Sequence, residues 1–129
     1  VQFLSAKASV SASKPNTMEF ALTIKEVERI SEHLKQPLYK ASLQLLLCEA
    51  LLETEPFRAQ HIHSTVDIAM IESMETATAN RLVARWWALR AFLEPQQKVP
   101  SIREAILRFR LSGCPNRART LSKQLHQSI

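Results

Sequence analysis

Apolar residues recur along most of this chain at three- and four-residue steps, with charged residues between them. Phe20, Ile24, Val27, Ile30 and Leu34 fall on one stripe and predict a helix over residues 18–35. Lys25, Glu26, Glu28, Arg29 and Glu32 take its other faces, and Pro37 ends it. The next helix, over 38–54, is apolar almost all round its middle, with Leu43, Leu45, Leu46, Leu47, Ala50, Leu51 and Leu52. Such a helix needs neighbours on more than one side. Pro56 suits the first turn of a helix, where backbone N–H groups have no partner to lose. That helix is expected to reach residue 74, with Ala59, Ile62, Val66, Ala69 and Met70 inward.

A polar join over 76–80 leads to a helix ending near residue 93, with Leu82, Val83, Trp86, Leu89 and Phe92 towards a core. Residues 95–100 read as a loop between two prolines. Ser101 is placed to cap the following helix, whose apolar positions are Ile102, Ala105, Ile106 and Phe109. Gly113 lies just past its end, where a left-handed residue closes a helix most cheaply. A last helix over 116–127 carries Ala118, Leu121 and Leu125. Upstream, Phe3, Leu4, Ala8 and Ala12 predict a helix over 1–12, followed by a loop at Pro15 and a cap at Thr17.

Short joins make consecutive helices antiparallel neighbours. The pairs also recur: Ala12, Ala50 and Ala88 stand 38 residues apart, as do Ala8, Leu46 and Ala84. Val27, Val66 and Ile106, then Ile30, Ala69 and Phe109, repeat at steps of 39 to 40. A single hairpin cannot bury its apolar face, whereas stacked hairpins bury a continuous seam. The expected fold is all-α: about seven helices as stacked antiparallel hairpins, in one domain over residues 1–129.

One glycine in 129 residues argues against a strand-rich fold, which needs glycine in turns and bulges. The net charge of +5 makes acidic partners, nucleic acid among them, a reasonable match. Cys48 and Cys114 stand alone, without disulfide or zinc spacing, which points to a reducing, intracellular setting, cytoplasm or nucleus. No apolar run approaches 18 residues, so no membrane partner is expected. The chain begins mid-pattern and without Met, and reads as a fragment of a larger protein.

Candidate chemistry is sparse. His61 and His63, two apart on a helix, point away from each other and cannot share a metal. Glu49 and Glu53 precede them, but the Glu-x-x-His pairs of a bundle metal site are missing. Glu53, Glu55, Glu72 and Glu75 have no nucleophile placed beside them, and no glycine loop exists to cradle phosphate. The expectation is a non-enzyme with no catalytic residue, no metal and no cofactor. Trp86 and Trp87 diverge by about 100° on a helix. With Trp86 inward, Trp87 lies on a flank. Arg103, Arg108, Arg110, Arg117, Arg119 and Lys123 form a basic patch suited to phosphates or an acidic peptide. Residues 102–129 also resemble the opening two helices of a helix-turn-helix module, whose recognition helix would have to follow.

The paired helices resemble the tetratricopeptide-like superhelical proteins. Phe3-Leu-Ser-Ala-Lys-Ala-Ser-Val-Ser-Ala-Ser and Leu121-Ser-Lys-Gln-Leu-His-Gln, fewer than 20 residues together, resemble the subunit 5 family of the anaphase-promoting complex. The first likeness implies a superhelix whose first helices line a concave face, here with Lys40, Gln44, Arg81, Arg85 and Trp87. The cations would pair charges there and Trp87 would stack. The second implies a scaffold subunit of a ubiquitin-ligase assembly without catalytic residues of its own. Together they lead to a protein–protein interaction module as the expected function, its partner a protein or peptide of acidic character. A nucleic-acid-binding helical domain that uses the basic patch is the alternative.

Overall fold

A computed structural model of the chain describes residues 18–128. The expected helix over 1–12, the loop at Pro15 and the Thr17 cap lie outside the described residues. Seven α-helices follow one another: α1 (Met18–His33), α2 (Pro37–Leu51), α3 (Pro56–Thr65), α4 (Ile68–Ser73), α5 (Ala77–Leu93), α6 (Lys98–Leu111) and α7 (Pro115–Ser128). A 3-10 turn, Pro95–Gln97, precedes α6. The described residues contain no strand, so the chain is all-α. Its internal contacts divide it at Val66/Asp67 into two compact units.

In the first unit α2 packs against both α1 and α3. Ala41, Leu43, Leu45, Leu47, Cys48 and Leu51 of α2 are buried. At 100° per residue these positions span about 200° of its circumference, which is the enclosure its leucine pattern called for. Phe20, Ile24, Val27 and Ile30 form the buried stripe of α1, as the spacing predicts. The Gln36 side chain caps α2 by accepting from the Tyr39 N–H at 2.9 Å, with Pro37 in the first turn. Pro56 likewise opens α3. The Arg58 guanidinium of α3 pairs with Glu28 of α1 and with Glu55, the latter at 3.4 Å.

The helix expected over 56–74 is broken. Val66 is extended, with φ −69° and ψ 125°. The Asp67 carboxylate then accepts from the Met70 N–H at 3.3 Å and starts α4. A side chain that caps a new helix competes with continuation of the old one. The inward set shifts accordingly: Val66 stays buried, Ala69 and Met70 are exposed, and Ile71 replaces them.

In the second unit α5 packs against α4 and α6, and α6 against α7. Thr76 caps α5 through the Ala79 N–H at 3.1 Å, so the helix starts within the stretch expected as a polar join. The core joins Ala84 and Ala91 of α5, Ile102, Ala105, Ile106 and Phe109 of α6, and Ala118 and Leu125 of α7. Alanines on facing helices bring the backbones close, while Ile106 and Phe109 fill the remaining space. Helix α6 starts four residues earlier than Ser101 would set it, and Ser101 is buried inside it. Pro100 falls in the first turn, where its missing N–H is not needed.

Gly113 ends α6 as expected. Its φ is +78°, its N–H donates to the Arg110 carbonyl at 3.2 Å, and the Cys114 N–H donates to the Phe109 carbonyl at 2.8 Å. These two bonds define a Schellman motif. No atom lies within 4 Å of where a Cβ would stand, so the backbone angle alone requires glycine.

Candidate functional site

The charge of the protein is unevenly placed. Residues 18–66 carry five lysines and arginines against seven carboxylates. Residues 67–125 carry ten against five. From Lys98 onward seven cations face one carboxylate, Glu104. The helices of the second unit decide which of these cations reach solvent.

Arg108 does not join an open patch. Its guanidinium pairs with Glu72 of α4, donates from Nε to Glu104 at 3.1 Å, and reaches Asn80 of α5 at 3.5 Å. Its side chain is only 20% exposed. Arg108 is therefore a tie among α4, α5 and α6. Arg117 lies over the Phe109 ring, 5.6 Å from its centroid, and links α7 to the core. Arg103 and Arg110 are exposed and seven residues apart, on one stripe of α6 that also presents Leu107 and Leu111. Arg119 and Lys123 are exposed and four apart on α7. The patch read from sequence thus resolves into two stripes, one internal tie at Arg108, and the exposed Arg117 set over Phe109.

The five residues expected on a concave face are divided between the units. Lys40 and Gln44 share a stripe of α2 in the first. The Gln44 amide donates to the Thr65 hydroxyl at 3.2 Å and joins α2 to the end of α3. Arg81, exposed, and Arg85, half-buried, lie four apart on α5 in the second. Trp87 is elsewhere on α5. It packs against the core of the second unit, meets Trp86 edge-on with ring centroids 5.0 Å apart, and carries the Arg90 guanidinium 5.2 Å above its ring. Glu94 holds Arg90 at 2.8 Å. Both tryptophans are half-buried, and Trp87, expected on a flank, is covered by the hairpin that follows α5.

Phe92, expected inward, is 60% exposed. The small face of α5, Ala84, Ala88 and Ala91, meets α6 and α7 instead, which turns Phe92 to the rim. A groove of about 200 Å³ opens beside it, lined by Ala88, Ala91 and Phe92, by Lys98 and Ile102 of α6, and by Leu121 and Gln124 of α7. Its floor is apolar, and Lys98 and Gln124 are its polar lining groups. Residues 81, 85, 88 and 92 follow helical spacing, so Arg81 and Arg85 continue the stripe that supplies the Ala88–Phe92 wall.

The remaining candidates are not brought together. His63 is buried and His61 exposed. Among the described residues no three or more His, Cys, Asp or Glu side chains stand close enough to hold a metal ion. Cys48 is buried, its Sγ 3.3 Å from the Ala59 carbonyl. Burial first, and the Glu49 charge second, push its thiol up to about 12, which keeps it an unreactive hydrophobe. No helix among the described residues is long and apolar enough to cross a membrane.

Sequence spacing missed Lys98, Phe92 and Gln124. The readable signal was the Ala84, Ala88, Ala91 series, which marks the side of α5 that neighbours approach closely. Compared with models of protein families, with curated proteins and with solved structures, the chain gives no match.

Proposed function

We propose that this chain is a non-enzymatic interaction module, built from helical hairpins of the tetratricopeptide-like kind, that holds an acidic segment of another protein. It would serve as one subunit of a multi-protein assembly. The observation that carries this reading is the charge contrast: ten cations against five carboxylates over residues 67–125, with Arg81, Arg103, Arg110, Arg119 and Lys123 exposed. A basic surface of this kind raises the encounter rate with an acidic partner and turns away basic ones. The exposed Leu107 and Leu111, set beside Arg103 and Arg110, add apolar area to the same stripe.

Affinity capture from cell extract, with the variant Arg81→Glu/Lys98→Glu/Arg119→Glu/Lys123→Glu as control, tests the reading. Acidic proteins should be retained by the native chain and released by the variant. Capture unaffected by the charge reversal would overturn it.

Nucleic acid is the second reading, favoured by the Arg119–Lys123 and Arg103–Arg110 pairs on exposed helix stripes. Binding to a labelled duplex across a salt series separates the two. A nucleic-acid surface gives an affinity that falls steeply with salt, by roughly one counterion released per phosphate contacted.

A further inference from the structure

We infer that the groove between α5, α6 and α7 is an anchor pocket: it takes one large aliphatic or aromatic side chain of an acidic peptide, with the neighbouring carboxylates on Lys98 and Arg81. The inference rests on the proposed binding of an acidic protein segment and names where, and through which residue, that segment docks.

Size is the first argument. The groove holds about 200 Å³. Small-molecule and cofactor sites span roughly 300–1,000 Å³ and enclose most of their ligand. A recess below that range, open on one side, suits a single side chain of a longer partner. The lining is the second argument. Ala88, Ala91, Ile102 and Leu121 form an apolar floor, and Phe92, 60% exposed, stands at its rim. An inserted side chain would cover the outer face of Phe92. Charge is the third. Lys98 lines the recess itself. The Ala88–Phe92 wall continues along α5 as Arg85 and Arg81. Along this line the first carboxylate, Glu94, is held by Arg90 at 2.8 Å. A peptide seated on the wall therefore meets Lys98 at the recess and the exposed Arg81 farther along α5, which selects an acidic flank. Anchors that fill a pocket, ringed by charges that exclude water, carry most of the affinity at such surfaces.

The test uses the full chain and fluorescein-labelled short peptides of aspartate and glutamate around one central residue, followed by anisotropy. The peptide with a central leucine should bind, and the one with alanine should bind about tenfold more weakly, as losing most of a buried leucyl group implies. Phe92→Ala, at an exposed position, should weaken the leucine peptide several-fold and leave the alanine peptide unchanged. Lys98→Glu should abolish binding of the acidic peptide and allow a lysine-flanked leucine peptide to bind. Helicity by circular dichroism shows that each variant is folded. Equal affinity for leucine and alanine peptides would overturn the anchor pocket and leave the acidic-partner reading standing. Failure of every acidic peptide to bind, while a labelled duplex binds, would overturn both.

Discussion

In the first unit helices meet through long aliphatic side chains. Leu43, Leu45, Leu47 and Leu51 of α2 are essentially without solvent contact, as are Ile24 and Val27 of α1. In the second unit five alanines, 79, 84, 91, 105 and 118, are buried alongside Ile71, Val83, Ile102, Ile106 and Phe109, against two, Ala41 and Ala59, among the described residues of the first. Each unit adds one arginine that ties non-consecutive helices, Arg58 in the first and Arg108 in the second. The surfaces differ as much as the cores, with acids in excess over residues 18–66 and cations over 67–125. The lesson is that small core residues leave room for shape. The close approach allowed by Ala88 and Ala91 is what leaves a recess edged by Phe92.

Substitutions sharpen this contrast. Leu47→Ala should be the most damaging, at about 2–5 kcal/mol, because a fully enclosed leucine leaves a cavity that its neighbours cannot close. Urea unfolding measures it. Ala105→Leu should cost about 1–3 kcal/mol by forcing α6 off its neighbours. A neutral Ala105→Leu would show that the second core is loosely filled and break the comparison. Gly113→Ala should cost about 1–2 kcal/mol, since a Cβ finds open space but an unfavourable φ of +78°. Thermal melts of that variant should show no change in helicity below the transition.

The smallest effect is in pH. The Cys48 thiol has an ordinary value of 9.0 and in the folded chain is pushed up to about 12. Above pH 9 the unfolded chain therefore loses a proton that the folded chain keeps. By linkage, stability falls as pH rises from about 9 to about 12 and is full below that window. Cys48→Ala should flatten this alkaline slope. In the native chain a thiol reagent should reach the half-buried Cys114 first and Cys48 only on unfolding.

Much of this architecture was legible. The single glycine and the leucine-rich stretch announced helices, Pro56 marked a first turn, and Gly113 marked an end. Each of those signals is local, and local geometry decides it. The break at Val66 was misread because its apolar spacing continues smoothly. Asp67, followed by Ile-Ala-Met, was the competing cap. Ser101 was misread as a cap because the stretch before it holds two prolines, and a first turn tolerates proline. The groove was out of reach for a different reason. Its seven residues come from three helices, and Lys98 lay in a segment taken for a loop. Spacing along one helix cannot tell which neighbour covers which face. That is why Phe92 was oriented wrongly while the helix that holds it was found.

The main packings within each unit join helices that are consecutive along the chain: α1 with α2, α2 with α3, α4 with α5, α5 with α6, α6 with α7. A nascent polypeptide emerging from the ribosome meets each rod's partner within a few dozen residues of synthesis. Such short-range topologies typically fold in roughly microseconds to milliseconds, far faster than translation supplies residues. Each unit can mature in the order in which it is made, without waiting for a distant segment to return.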